Sequence, residues 1–184
     1  MSAKNEKFAG AVWCMDGRDK KAVQDYAQGL FVDSVCDGPG TVGVLADVGH
    51  PKHALFVQKL RDQLPVSIGN HGSEIIFVSG HAECAGHPVD DVRHKEDILK
   101  ATALVRSILH ELNYTTITVI PLWNQRGEDG VWFLWHWSQS LQIRQLPQRR
   151  HKNQKSVWHE TLFIFGIPRP LLLRCILAKT GSVT

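Results

Sequence analysis

Residues Glu74 to Cys84 read EIIFVSGHAEC. The core of this stretch, Ile75-Ile76-Phe77-Val78, is β-branched or aromatic at every position and shows no apolar/polar alternation. Such a run reads as a strand, the clearest in the chain. Ser79 and Gly80 close it, and His81 and Cys84 follow directly, two side chains that ligate metals.

Working outward, the chain alternates. Residues 8–14 (FAGAVWC) read as a second short buried strand, and Arg18 to Leu30 as a helix with Ala22, Val23, Tyr26, Ala27 and Leu30 along one face. Phe31 to Cys36 is a third strand, ending in the turn Asp37-Gly38-Pro39-Gly40. Residues 41–50 are apolar with two more glycines and suit a strand or a tight loop. Pro51 can open a helix reaching Leu64, with Leu55, Val57, Leu60 and Leu64 inward. Asp90 or Asp91 can cap a long helix to Leu112, striped by Leu99, Leu104, Val105, Ile108 and Leu109. Thr115 to Leu122 reads as a strand, residues 125–130 as a turn, and Val131 to Trp135 as a returning strand. Strands alternating with helices imply βαβ units. The expected fold class is α/β, a mainly parallel central sheet flanked by helices, with an antiparallel edge from the closing hairpin.

The chain has 184 residues, 43% hydrophobic and 21% charged, which fits an ordinary globular domain. No apolar run approaches the roughly 20 residues needed to span a bilayer. The polar start, Met1 to Lys7, carries no signal region, so a cytoplasmic location is expected. The net charge of +3 is unevenly spread. Residues 1–138 carry 13 Lys and Arg against 17 Asp and Glu, whereas residues 139–184 carry 8 against 1. The basic excess therefore belongs to a tail, which argues against a nucleic-acid binder. We expect two parts: an α/β domain over 1–138 that binds zinc and a basic C-terminal extension over 139–184. Within the extension, Arg149 to Lys155 reads as a solvated loop. Phe163 to Ala178 is broken by Pro168 and Pro170 and cannot be one uninterrupted helix.

Nothing points to secretion, so the four cysteines are expected as free or metal-bound thiols. Cys36 and Cys175 sit in apolar settings and read as small hydrophobes. Cys14 and Cys84 differ. Cys14 ends the first strand and opens CMDGRD, with Asp16 and Arg18 at alternate positions after it. His81 and Cys84 follow the strand at 74–80. In open parallel sheets ligands bind beyond the carboxyl ends of strands, which is where both motifs fall. Two thiolates and an imidazole are a common zinc set, and three protein ligands leave a fourth position open, as in catalytic sites. Taken singly, an H-x-x-C arises often by chance, and a C-x-D-x-R is also what a strand end with a surface ion pair looks like.

Taken together, Cys14-x-Asp16-x-Arg18 and His81-x-x-Cys84 resemble the signature of the β-class carbonic anhydrases, over a span from Ala11 to Trp135. The resemblance implies Cys14, His81 and Cys84 as zinc ligands and Asp16 with Arg18 as a catalytic dyad beside the metal. It also implies reversible hydration of carbon dioxide to bicarbonate by zinc-bound hydroxide, and a homodimer or higher homo-oligomer. The sequence departs from the common pattern in three places: only 13 residues precede Cys14, Ala85 follows the second cysteine, and Ala46-Asp47-Val48-Gly49 replaces the usual Arg-Asn-Ala-Gly.

A carboxylate so near a ligand can close the open position itself. Arg18 offers it a bidentate partner instead, so we expect Arg18 to hold Asp16 off the metal. His50, His53, His71 and His87 are candidates for carrying the released proton. Two competing readings share the site: hydrolysis of carbonyl sulfide or carbon disulfide, and a non-catalytic zinc protein with Asp16 as a permanent fourth ligand. A redox role for Cys14 and Cys84 is weaker, since neither lies in a C-x-x-C pair. For the dimer, Val131, Phe133 and Trp135 mark an apolar sheet edge that a second copy could cover.

Overall fold

A computed structural model describes residues 7–30, 34–37, 41–128, 130, 132–137 and 143–146. The expected turn at Gly38-Pro39-Gly40, Val131, the basic run 149–155, the segment 163–178 and Cys175 lie outside the described residues.

The order of elements is β1 (Lys7–Val12), α1 (Gly17–Leu30), β2 (Ser34–Asp37), α2 (Val42–Ala46), α3 (His53–Pro65), a π-helical turn (Val66–Asn70), β3 (Ile75–His81), α4 (Asp91–Glu111), β4 (Thr118–Arg126), β5 (Trp132–Trp137) and β6 (Ile143–Leu146). They build one six-stranded sheet in the order β2-β1-β3-β4-β5-β6. β2, β1, β3 and β4 run parallel, and β5 and β6 add an antiparallel edge. This is the α/β class that the alternation of strand and helix patterns predicts. β6 lies beyond residue 138, so the sheet takes in four residues of the segment read as the extension.

Both faces of the parallel part are covered, which explains the absence of alternation in β3. Ile76 and Val78 point into a core with Ile98, Ala101, Val105 and Ile108 of α4 and Leu60 and Leu64 of α3. Ile75 and Phe77 point the other way, into a core with Val23 and Ala27 of α1 and Ala9 and Ala11 of β1. Every residue of β3 is buried. At roughly 1.5–3 kcal/mol per large apolar side chain, these two layers supply the main stabilisation of the strands that carry the motifs. The long helix α4 starts where Asp90 caps it, its side chain accepting from Arg93 N at 2.8 Å.

One expectation needs correction: residues 41–50 contain a short helix, Val42–Ala46, rather than a strand or loop. The element lies against α4, and a Cβ at Gly43 would collide with the His87 ring. The glycine marks close packing onto the segment after Cys84. Several boundaries also shift. β1 stops at Val12, two residues before Cys14, β3 includes His81, and β4 runs to Arg126 rather than ending at Leu122.

The topology places the site. From β1 the chain moves outward to β2, then crosses to β3 on the other side of β1, so the winding direction reverses between β1 and β3. Crevices beyond the carboxyl ends of the strands at such a reversal are where open α/β sheets bind ligands. CMDGRD leaves β1 there, and HAEC completes β3 there.

Candidate metal centre

His81 is the last residue of β3, paired in register with Asn124 of β4. Its backbone is fixed by the sheet and its side chain is fully buried. Cys84 is reached by a tight turn, Ala82 N donating to Asn124 O at 2.8 Å and Glu83 taking a left-handed φ of 58°. That local reversal brings Cys84 back toward His81. Cys14 comes from the other motif, in the link between β1 and α1.

The ligand atoms of Cys14, His81 and Cys84 all lie within 4.8 Å of one another, and all three residues are buried. The two sulfurs are 3.7 Å apart. Two thiolates each about 2.3 Å from one tetrahedral ion would stand at about that separation. His81 Nδ1 is 2.8 Å from the carbonyl of Ala82, which fixes this nitrogen as the donor. Nε2 then carries a lone pair, and it is buried with no hydrogen-bond partner. A buried, unpartnered imidazole nitrogen facing two thiols is the donor arrangement of a metal site, and its outer N–H···O=C bond is the usual support for a ligating histidine. The three residues can hold a metal ion, and their soft donors suit zinc. The two thiols share a hydrogen bond that pushes Cys14 up to about 12, with burial adding to the rise. The same bond brings Cys84 down to about 6.

Asp16 and Arg18 stand at the rim. Asp16 Oδ1 accepts from Arg18 N at 2.9 Å, the bond of an N-cap to the first turn of α1. The guanidinium grips the same carboxylate, Nε at 3.0 and 3.1 Å from its two oxygens and Nη2 at 2.7 Å from Oδ2. The Arg18 hydrogen bonds hold Asp16 well below the usual carboxylate range, at about 2. Asp16 Oδ2 lies 3.9 Å from His81 Nε2, so the carboxylate borders the ligand set while Arg18 engages it. Arg18 is itself fixed from other sides: its guanidinium carbon sits 4.9 Å from the centre of the Trp132 ring, Nη1 is 3.7 Å from Glu83, and its carbonyl accepts from Asn124 Nδ2 at 3.3 Å. Trp132 also meets His81 edge to face at 6.4 Å. The structure thus brings together all five residues singled out by the two motifs.

The four candidate histidines are engaged elsewhere. His50 Nδ1 accepts from Lys52 N, His53 lies 3.0 Å from the carbonyl of Val44, and His71 stacks on Phe8. His87 follows Cys84 but its Nε2 is 2.9 Å from Asp97. The histidine next to His81 is His94 of α4, at 6.5 Å between ring centres, which the sequence did not single out. Burial brings its pKa down to about 4. Sequence reasoning also passed over Asp19, Glu83, Asn124 and Trp132. Only Asp19 left a local signal, as the third charged residue of CMDGRD.

A family model described as "Putative carbonic anhydrase" matches residues 4–128. The chain belongs to that family. The match takes in both motif strands, α4 and β4, while Trp132 and the two antiparallel strands lie beyond it. No curated protein matches the chain. Among the described residues no helix is long and apolar enough to cross a membrane.

Proposed function

We propose that the chain is a zinc-dependent carbonic anhydrase that interconverts carbon dioxide and bicarbonate. The observation that carries this reading is the buried Cys14, His81 and Cys84 trio at the sheet's reversal point, with a carboxylate locked by arginine at its rim. Bound there, zinc supplies a Lewis acid that lowers the pKa of a water from about 15.7 to about 7. The residues of this chain do the rest. Asp16 is ionised at neutral pH and accepts a hydrogen bond from the attacking water, turning a lone pair toward the substrate carbon. Arg18 keeps Asp16 in that role by occupying the carboxylate oxygens that would otherwise ligate the metal.

The catalytic unit in this reading is the α/β domain over 1–138, acting as a homodimer or higher homo-oligomer in the cytoplasm. Stopped-flow hydration of carbon dioxide on zinc-replete protein, with and without chelator, tests the activity. Metal-dependent turnover supports it. Tightly held zinc with no turnover would favour the non-catalytic reading with Asp16 as fourth ligand, and turnover confined to carbonyl sulfide or carbon disulfide would favour the hydrolase.

A further inference from the structure

Asp19, in the first turn of α1, has no exposed surface at all. An acid there would ordinarily stay in water, where it complements the helix dipole at no desolvation cost. Here a single oxygen, Oδ2, accepts two hydrogen bonds, from Cys14 N at 2.9 Å and from Ser79 Oγ at 2.9 Å, while Oδ1 has no partner. Neither donor is incidental. Cys14 lies past Val12, where the β1–β3 pairing ends, so its amide has no place in the sheet. Ser79 sits two positions before His81, and residues two apart on a strand share a face.

From this we infer that Asp19 is a positioning residue for the metal centre. Its carboxylate bridges the Cys14 amide to the Ser79 hydroxyl and so fixes the Cys14 thiol opposite His81 and Cys84. The inference rests on the metal-site reading of those three residues. Through one carboxylate oxygen it joins the link after β1, the start of α1 and the end of β3. The role belongs to the acceptor oxygen. Asn can place its carbonyl oxygen where Oδ2 lies and still accept both bonds, whereas Ala leaves the Cys14 amide buried and unpartnered.

The test is titration of the metal-depleted full chain with Co2+, read by the thiolate-to-cobalt charge-transfer band. Asp19→Ala should weaken cobalt binding about 10- to 100-fold and alter the band, as losses of outer-shell partners do. Asp19→Asn should keep both close to wild type, a rescue that loss of a merely structural buried charge would not show. Ser79→Ala leaves every ligand and Asp19 in place, and covers the case in which Asp19→Ala does not fold. It should weaken cobalt binding severalfold by freeing the far end of the bridge. Wild-type affinity and band in Ser79→Ala, or in a folded Asp19→Ala, overturn the inference. So does an Asp19→Asn variant as impaired as the alanine. A wild type with no thiolate-to-cobalt band overturns the metal centre itself, and this inference with it.

Discussion

Replacing Arg18 by alanine is the most direct test of what the rim does. The change deletes the three guanidinium contacts to Asp16 but spares the backbone bond from position 18 to Oδ1 at 2.9 Å. The carboxylate therefore stays anchored as the cap of α1 but loses the partner that occupies its outer lone pairs. Asp16 is lowered from 3.8 to about 2, and at about 1.4 kcal/mol per unit this sets an upper bound of about 2.5 kcal/mol on its stabilisation. The Arg18 side chain is 44% exposed, so solvent screening brings the guanidinium share to about 1 kcal/mol. That is a factor of about five in the balance between Asp16 held by Arg18 and Asp16 on the metal.

The assay is azide binding to the cobalt-loaded protein, because azide takes the open position that Asp16 would close. Arg18→Ala should bind azide at least about fivefold more weakly and lose hydration activity in proportion, with metal content unchanged. Adding Asp16→Asn to it should restore azide binding, since the amide is a poor competitor for the metal. Arg18→Lys should recover little, because an ammonium cannot reproduce the planar fork. Azide affinity and turnover equal to wild type in Arg18→Ala would show that the pair is only a local ion pair.

Three further outcomes follow from the geometry. In the metal-free protein the thiol pair carries one proton between about 6 and about 12, so zinc capture near pH 8 should release about two protons, one from the thiols and most of one from a bound water brought to about 7; calorimetry in buffers of different ionisation enthalpy counts them, and about one or about three would contradict the sharing. Glu83 holds a left-handed φ of 58°; Glu83→Gly should raise stability in urea by up to about 1 kcal/mol, and Glu83→Val should lower it by a similar amount. His94 and His136 are both brought down to about 4 by burial. The unfolded chain binds more protons than the folded one between pH 4 and the ordinary 6.5, so stability should fall on acidification through that window. His94→Gln should flatten the fall, and an unchanged slope in urea midpoints across that window would count against it.

The parts of the fold that were legible are those whose signal is local and one-sided. β3 declares itself through four apolar residues in a row, because both of its faces meet helices. The candidate metal ligands were legible because each motif keeps its members within a few residues at a strand end. Asp19 was not, because its burial depends on Ser79, 60 positions away, and an acid in a helix's first turn already has an ordinary explanation. The short helix at Val42–Ala46 was missed for a related reason. Five residues with two valines have little helical tendency of their own, and the element forms where its glycine lets it pack on His87. His87, which reads more readily as an ordinary loop histidine than as a shuttle, has its Nε2 2.9 Å from Asp97, a partner ten positions away that no local pattern marks.

The distribution of burial across the site has a consequence for how it can work. Cys14, His81 and Cys84 are at most 8% exposed, whereas the side chains of Asp16 and Arg18 are 26% and 44% exposed. Buried thiolates cannot be left unpaired, so the ligand set favours keeping its metal and its shape. A buried carboxylate–guanidinium pair would be equally fixed, since breaking one costs about 3–5 kcal/mol. At the rim the same pair opens for about 1 kcal/mol, because water solvates whatever is released. Under the proposed function, the chain therefore places its rigid element where the dielectric is low and its movable one where it is high. Asp16 can then exchange between Arg18 and the metal without disturbing the ligands, and an Arg18–Asp16 pair buried as deeply as Asp19 would have frozen that exchange.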